Sequence, residues 1–351
     1  MESGLRIKEI KYHIEPNAVS LIVTDECTAA CTNCCFNCSP RKGTSMSADE
    51  AKEYIKNSVD AFKSLKLVVL TGGEPFLLGI NFLTEVIGYA KSLNLHTRIV
   101  SNAFWATTPQ KTAKYINALV KAGLDEINFS TGDEHQKYVK IENIVNACIE
   151  SVKSNLMVAV NVESHAGSNF KNMALLENTQ YKDFFSNKKN AEKIKIINGL
   201  WSSLDRNYEA FEYNKNEIEL LKNMKKGCDS IFNIYSVFPN GDLAACCGLT
   251  VAKMDHLQLG NLKKMDLKLL YENQYRYFIN LWIRIEGPYK IIEFLTSKEP
   301  ELGKLPLNHV CQVCNYLFNN EKVVAAVSKY YVEKIPEVFF KYQVNQQLKN
   351  L

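Results

Sequence analysis

Three thiols, in the stretch Cys27-Thr-Ala-Ala-Cys31-Thr-Asn-Cys34, have the type and the spacing for metal chemistry. Thiolates are soft ligands suited to zinc and to iron–sulfur centres, and positions i, i+4 and i+7 on a loop can turn toward one centre. The number of ligands matters. A closed structural site takes four protein ligands, whereas three leave a coordination position open to a substrate or cofactor. Zinc or a disulfide pair are the competing readings, although zinc sites usually come as two CxxC pairs and CxxxCxxC is not one. Further along, Leu67-Val-Val-Leu-Thr-Gly72-Gly73-Glu74-Pro75 places two glycines after an apolar run. Without a Cβ, such a backbone can approach a ligand closely; an ordinary turn is the alternative. A later set, Cys228, Cys246, Cys311 and Cys314, supplies four thiols, enough to close one site as a cluster or as structural zinc. Cys247 competes with Cys246. Adjacent strand residues point to opposite faces, so only one of the two is expected to bind.

In this order, each after a strand-like run, the first two motifs resemble the radical S-adenosylmethionine (SAM) superfamily. The resemblance implies that Cys27, Cys31 and Cys34 hold a 4Fe–4S cluster that binds SAM. It implies that Gly72-Gly73-Glu74-Pro75 lies against the methionine end of SAM and that Ser130 contacts the ribose; Ser101 joins the cofactor-binding set. One departure stands out. The family usually has an aromatic residue just before the third cysteine, where this chain has Asn33, and Phe36 is the candidate substitute for packing on adenine. The pattern Cys228-x12-Gly241-x4-Cys246, continued by Leu259-Gly-Asn-Leu262, resembles the opening of the SPASM/Twitch extension found after many radical SAM cores. That implies a second, auxiliary 4Fe–4S cluster on Cys228, Cys246, Cys311 and Cys314. No cysteine follows Cys314, which fits the shorter, Twitch-like form.

The activity implied is reductive cleavage of SAM to a 5′-deoxyadenosyl radical that takes hydrogen from a substrate, with an electron donor such as flavodoxin or ferredoxin. Such extensions are frequent in peptide maturases, so the expected substrate is a ribosomally made peptide or a protein side chain. The short N-terminus, without room for a leader-binding domain, weighs against this. A small-molecule metabolite is the alternative substrate. A non-catalytic metal-binding scaffold is a remote third reading and leaves Gly72-Gly73-Glu74-Pro75 unexplained.

The elements that must position these residues follow a regular alternation. Strands are expected near 18–23, 67–71, 96–101, 126–131, 156–162 and 193–198. The helices between them include one opened by the capping box Ser47-Ala-Asp-Glu50 and one running from Thr108-Pro109 to Gly123. A spacing of roughly thirty residues is that of βαβ units, hence a parallel sheet. The expected class is α/β, a partial (β/α)6 TIM-type barrel followed by a small α+β cysteine-rich extension. Sites in such folds lie at the C-terminal ends of strands, where the cysteine loop, Gly72–Pro75, Ser101-Asn102 and Ser130–Gln136 all fall. His135 reads equally as a solvent-facing histidine. The expected boundaries are a lead-in over 1–17, the core over 18–200, a linker over 201–227, the extension over 228–318 and a helical tail over 319–351. In the extension, 231–238 and 243–247 are expected to form a hairpin around Pro239-Asn-Gly-Asp242, followed by a helix over 266–283. Cys35, Cys38 and Cys148 read as buried thiols, the first two with a role at the substrate or in cluster loading as the alternative.

Composition bounds the rest. The 351 residues are 46% hydrophobic and 23% charged, as in ordinary globular proteins. A net charge of +4 is too small to argue for nucleic acid. No apolar run reaches the roughly 18–20 residues of a membrane span, and the charged N-terminus has no signal-peptide core. Eleven cysteines without such a signal point to metal ligation in a reducing cytoplasm.

Overall fold

Six runs, most of them rich in Val, Ile or Leu, form six parallel strands. They are β1 (Ala18–Thr24), β2 (Leu67–Gly72), β3 (His96–Ser101), β4 (Glu126–Gly132), β5 (Met157–Ser164) and β6 (Ile194–Leu200), hydrogen-bonded in the order β6-β5-β4-β3-β2-β1. The structure is a computed structural model and describes residues 12–32, 34–164, 167–200, 224–302 and 309–349. Asn33, residues 1–11 of the expected lead-in and 201–223 of the expected linker lie outside the described residues. Two units are present. One contains the described residues from 17 to 200 together with Ser236–Gly241, and the other contains the remaining described residues.

In the first unit each of the first five strands is followed by helix. These are α1 (Ala48–Ala61), α2 (Gly79–Ser92), α3 (Pro109–Ala122), the short α4 (Asp133–Gln136), α5 (Ile141–Lys153) and, after β5, three short helices α6 (Asn172–Leu176), α7 (Thr179–Phe185) and α8 (Lys188–Ala191). The local signals act as expected. Ser47 accepts from the Glu50 N–H while Glu50 accepts from the Ser47 N–H, closing the capping box of α1. Thr108 caps α3, which ends on Gly123 in the left-handed region at φ 105°. This is an α/β fold with a parallel six-stranded sheet, the arrangement of a partial barrel.

Strand alternation separates two faces. Thr97, Ile99 and Ser101 on β3, Ile127, Phe129 and Thr131 on β4, and Val158, Val160 and Val162 on β5 are buried. Between them Arg98, Val100, Glu126, Asn128, Ser130, Ala159, Asn161 and Glu163 are half-buried, which makes the opposite face largely polar. The register aligns Val100 with Asn128, Asn128 with Ala159, Ser130 with Asn161 and Gly132 with Glu163. Because all six strands run the same way, their C-terminal ends form one edge.

In the second unit β8 (Asp242–Ala244) pairs antiparallel with β9 (Gln258–Asn261); along the chain β7 (Ile234–Val237) and the turn Phe238–Gly241 precede β8. Gly241, at φ 89°, donates its N–H to Phe238 O at 2.9 Å. The turn is where the sequence places it, but the hairpin is shorter. The expected helix over 266–283 is broken into Leu267–Asn273, a 3-10 turn Gln274–Arg276 and Phe278–Ile285. Tertiary contacts account for the break. Tyr275 donates to Ile14 O at 2.6 Å, and Tyr271 donates to Phe232 O at 2.9 Å. Tyr12 meets the Tyr275 ring edge-on at 5.3 Å. Helices Pro288–Lys298 and Val310–Asn319, not foreseen, precede the expected C-terminal pair Glu321–Tyr330 and Ile335–Lys349.

Candidate metal and cofactor site

The cysteine loop leaves β1 at Thr24 and is fastened to the ends of three other strands. Its own turn closes first: Cys27 N–H donates to Ser39 O and Ser39 N–H to Asp25 O, each at 3.3 Å. From the end of β2, Gly73 N–H donates to Thr24 O at 2.8 Å and Glu74 N–H to Glu26 O at 2.9 Å. From the end of β3, Asn102 Nδ2 donates to Thr28 Oγ1 at 3.0 Å and to Cys27 Sγ at 3.7 Å. From beyond β4, Glu134 accepts the Thr32 N–H at 3.0 Å and Tyr138 donates to Ala30 O at 3.2 Å. Cys31, Cys34 and Phe36 thereby pack against buried Cys27, Ala29 and Cys38. The Phe36 ring also meets Phe238 edge-on at 6.0 Å.

The two glycines are explained by this fastening. A Cβ on Gly73 would lie 1.9 Å from Glu26 O, and one on Gly72, whose φ is 133°, would lie 2.4 Å from Thr24 O. The space a side chain would fill is occupied by the backbone that leads into the cysteines. Glu74 is fully buried and accepts from Ser101 Oγ at 2.8 Å, Asn102 N at 2.7 Å and Phe76 N at 3.2 Å. Burial pushes its carboxyl up to about 7 against these three bonds. The Ser101 hydroxyl is full, since it donates to Glu74 and accepts from Trp105 Nε1 and Ala103 N, each at 3.0 Å. Glu74 and Ser101 thus brace Asn102, which in turn holds Thr28 and Cys27.

Ser130 sits half-buried on the polar face, level with Asn161. One step nearer the edge, His135 Nδ1 and Glu163 Oε2 are 3.7 Å apart, too far for a hydrogen bond, and neither buried atom has a hydrogen-bond partner. Asn128 Oδ1 and Arg98 Nε, on the same face, are in the same condition. Glu134 and Glu163 were not given a role by sequence reading, and Asn102 was named only as part of the strand end Ser101-Asn102. Asn102 and Glu134 lie inside segments already marked as strand ends, and Glu163 continues the alternation of β5 by one residue.

The thiols differ in proton affinity. Burial pushes Cys27 up to about 11, and burial together with nearby Glu163 pushes Cys31 up to about 12. Cys34 goes the other way, to about 6, because the Cys38 thiol hydrogen-bonds to it, and the same bond raises Cys38. Cys34 Sγ also accepts the Cys38 N–H at 3.2 Å, and Cys27 Sγ accepts the Ala29 N–H at 3.4 Å. Soft sulfur ligands already receiving N–H bonds are a donor set that fits an iron–sulfur cluster.

The second thiol set lies wholly in the second unit. Cys311 and Cys314 share a face near the start of the helix Val310–Asn319, which His309 caps by accepting the Cys311 N–H at 3.1 Å. A Cβ on Gly248 would lie 3.3 Å from Cys311 Sγ and 3.4 Å from Cys246 Sγ. Burial raises Cys314, with Cys228, Cys246 and Cys311 adding to the effect. Strand β8 ends at Ala244, so Cys246 and Cys247 are not strand neighbours and the opposite-face argument does not apply to them. Cys246 is buried and Cys247 half-buried. Among the described residues, no three His, Cys, Asp or Glu side chains are gathered closely enough to hold a single metal ion.

A six-stranded parallel α/β unit carrying three thiols on the loop after β1 defines a class. Residues 21–168 match the model of the radical SAM superfamily. A comparison with curated proteins found no match. Among solved structures, the chain is similar to polyhistidine-tagged anSMEcpe with bound AdoMet, at a TM-score of 0.55 and 15% identity over 93% of this chain and 99% of that one. It is similar to native anSMEcpe with bound AdoMet and Cp18Cys peptide at a TM-score of 0.53 and 13% identity, again over 93% and 99%. At these identities the likeness is one of fold.

Proposed function

We propose that this protein is a radical SAM enzyme acting on a ribosomally made peptide or a protein side chain. Cys27, Cys31 and Cys34 would hold a 4Fe–4S cluster. SAM would lie along the backbone of Gly72–Glu74 and the polar face at Ser130, with Ser101 and Glu74 bracing the site from below. The cluster and SAM, when bound, supply a 5′-deoxyadenosyl radical able to take hydrogen from a substrate. The observation that carries this reading is the fastening of the three-cysteine loop to the ends of β2, β3 and β4, directly above Gly72-Gly73-Glu74. A peptide substrate is supported by the Cp18Cys peptide bound to anSMEcpe, a protein of similar fold. In the second unit, Cys228, Cys246, Cys311 and Cys314 would hold an auxiliary 4Fe–4S cluster. A reduced flavodoxin or ferredoxin would deliver the electron. No helix among the described residues is long and apolar enough to cross a membrane, and cytoplasmic residence is part of this proposal. Anaerobic reconstitution with iron, sulfide, SAM and a reductant tests it. 5′-Deoxyadenosine is expected from the parent and none from Cys31→Ala; undiminished cleavage by that variant would sink the assignment.

A further inference from the structure

The segment that carries Cys228 is bound to the end of one helix, largely by bare backbone. Cys228 N–H donates to Ile283 O at 3.0 Å, filling a carbonyl in the last turn of the helix Phe278–Ile285. A Cβ on Gly227 would lie 2.2 Å from Arg284 O, and one on Gly287, at φ 86°, would lie 2.0 Å from Lys226 O. Two glycines, one on each side, therefore let the segments touch. Arg284 completes the contact with its side chain: Nη1 donates to Cys228 O at 3.1 Å. That side chain is 16% exposed, and the carboxylate 3.5 Å from the same nitrogen, Asp229, is fully exposed. Solvent screens such a pair, so Asp229 cancels the guanidinium charge only in part. The neighbouring thiols offer the same kind of donor set as the first loop. Gly248 N–H donates to Cys246 Sγ at 3.4 Å, and the space a Gly248 side chain would fill borders both Cys246 Sγ and Cys311 Sγ.

We propose that Arg284 is a positioning residue of the second centre that raises its reduction potential, by holding a positive charge against the carbonyl of Cys228. The inference rests on the reading of Cys228, Cys246, Cys311 and Cys314 as ligands of an auxiliary 4Fe–4S cluster. A cluster closed by four thiolates gains negative charge on reduction, and a nearby cation stabilises the reduced form more than the oxidised one. The backbone bonds that seat Cys228 survive any substitution at position 284; the charge and the Nη1 bond do not. The guanidinium is therefore the adjustable part of this contact. A centre tuned upward by it is easier to reduce, as an electron-accepting centre requires.

The test is a redox titration of the reconstituted full-length protein, followed by electron paramagnetic resonance, in a Cys27/Cys31/Cys34 triple alanine background so that only the second centre reports. Arg284→Lys keeps the charge, Arg284→Gln keeps a donor without it, and Arg284→Met keeps length with neither. All three are expected to hold the background's iron and sulfide. Arg284→Gln and Arg284→Met should move the signal to more negative potential, with the reduced-to-oxidised ratio at a fixed potential falling about tenfold, while Arg284→Lys stays near the background. If one uncharged variant loses its iron, the other decides against Arg284→Lys. Equal potentials in all four proteins, or equal shifts in all three variants, would overturn the proposal. So would Arg284→Gln at the background's potential, which would leave the hydrogen bond and not the charge. Loss of iron from Arg284→Lys and Arg284→Gln alike would reduce Arg284 to a structural brace and overturn it as well. Zinc, or no metal, in the background itself would instead remove the auxiliary-cluster reading beneath the proposal.

Discussion

Gly73 shows how a residue can be read correctly as special and for an incomplete reason. The sequence suggests a backbone open to a ligand, yet the missing Cβ would stand 1.9 Å from Glu26 O and 3.1 Å from Cys27 N. Gly73→Ala must therefore move the chain that presents Cys27. It is expected to lower iron content and thermal stability together, with no selective loss of SAM affinity. Full iron loading with weakened SAM binding would restore the ligand-approach explanation. Glu74 carries a second residue-scale consequence. Its carboxyl, raised to about 7 chiefly by burial, binds a proton more tightly in the fold than in the unfolded chain, where it titrates near 4.3. Its contribution to stability is therefore fullest below about pH 4, is lost as pH rises toward 7, and is flat above that. Over that window the parent should lose about 3.5 kcal/mol relative to Glu74→Gln, read from denaturation curves of the metal-free proteins across a pH series. Parallel profiles would show that Glu74 does not titrate there.

At the scale of elements, the short helix α4 works as a strut. Glu134 holds the Thr32 N–H on one side, and Asp133 accepts from Asn169 N and Phe170 N on the other. Glu134→Ala leaves the Thr32 N–H without this acceptor, a loss of about 1–2 kcal/mol. Amide exchange over the cysteine loop should speed about tenfold while exchange in β3 and α3 stays unchanged; an unaltered loop would dismiss the strut. The strands and helices of the first unit were legible because their signals are local: strand-like runs recurring about every thirty residues, the Ser47–Glu50 box, Thr108 before Pro109, and Gly123 past the end of α3. The second unit was less legible because tertiary contacts override local pattern. Tyr271 and Tyr275 reach carbonyls far away in sequence, and the helix expected over 266–283 breaks between them. Cys246 and Cys247 were assigned to a strand that stops at Ala244. The thiols of the site could be read from spacing, whereas Asn102 and Glu134, which hold the loop, could not, since an ordinary polar residue at a strand end carries no signature.

For the whole molecule, the expectation is of two centres that fail independently. Each thiol set lies within one unit: Cys27, Cys31 and Cys34 in the first, Cys228, Cys246, Cys311 and Cys314 in the second. A Cys27/Cys31/Cys34 triple alanine variant should keep about half the parent's iron and sulfide as a four-iron unit. Its electron-paramagnetic-resonance spectrum should not respond to SAM. Zinc in that variant, or no metal, would leave the second unit as a structural knuckle.

The seating of Gly72 and Gly73 against the carbonyls of Thr24 and Glu26 also bears on descent. Steric pressure on the two glycines comes from neighbouring backbone and would persist in a lineage that had abandoned every cysteine, as long as the loop kept its path. In such a lineage the glycine pair would be a fossil of the scaffold. Ancestry can be read from the glycines; present chemistry must be read from the sulfurs.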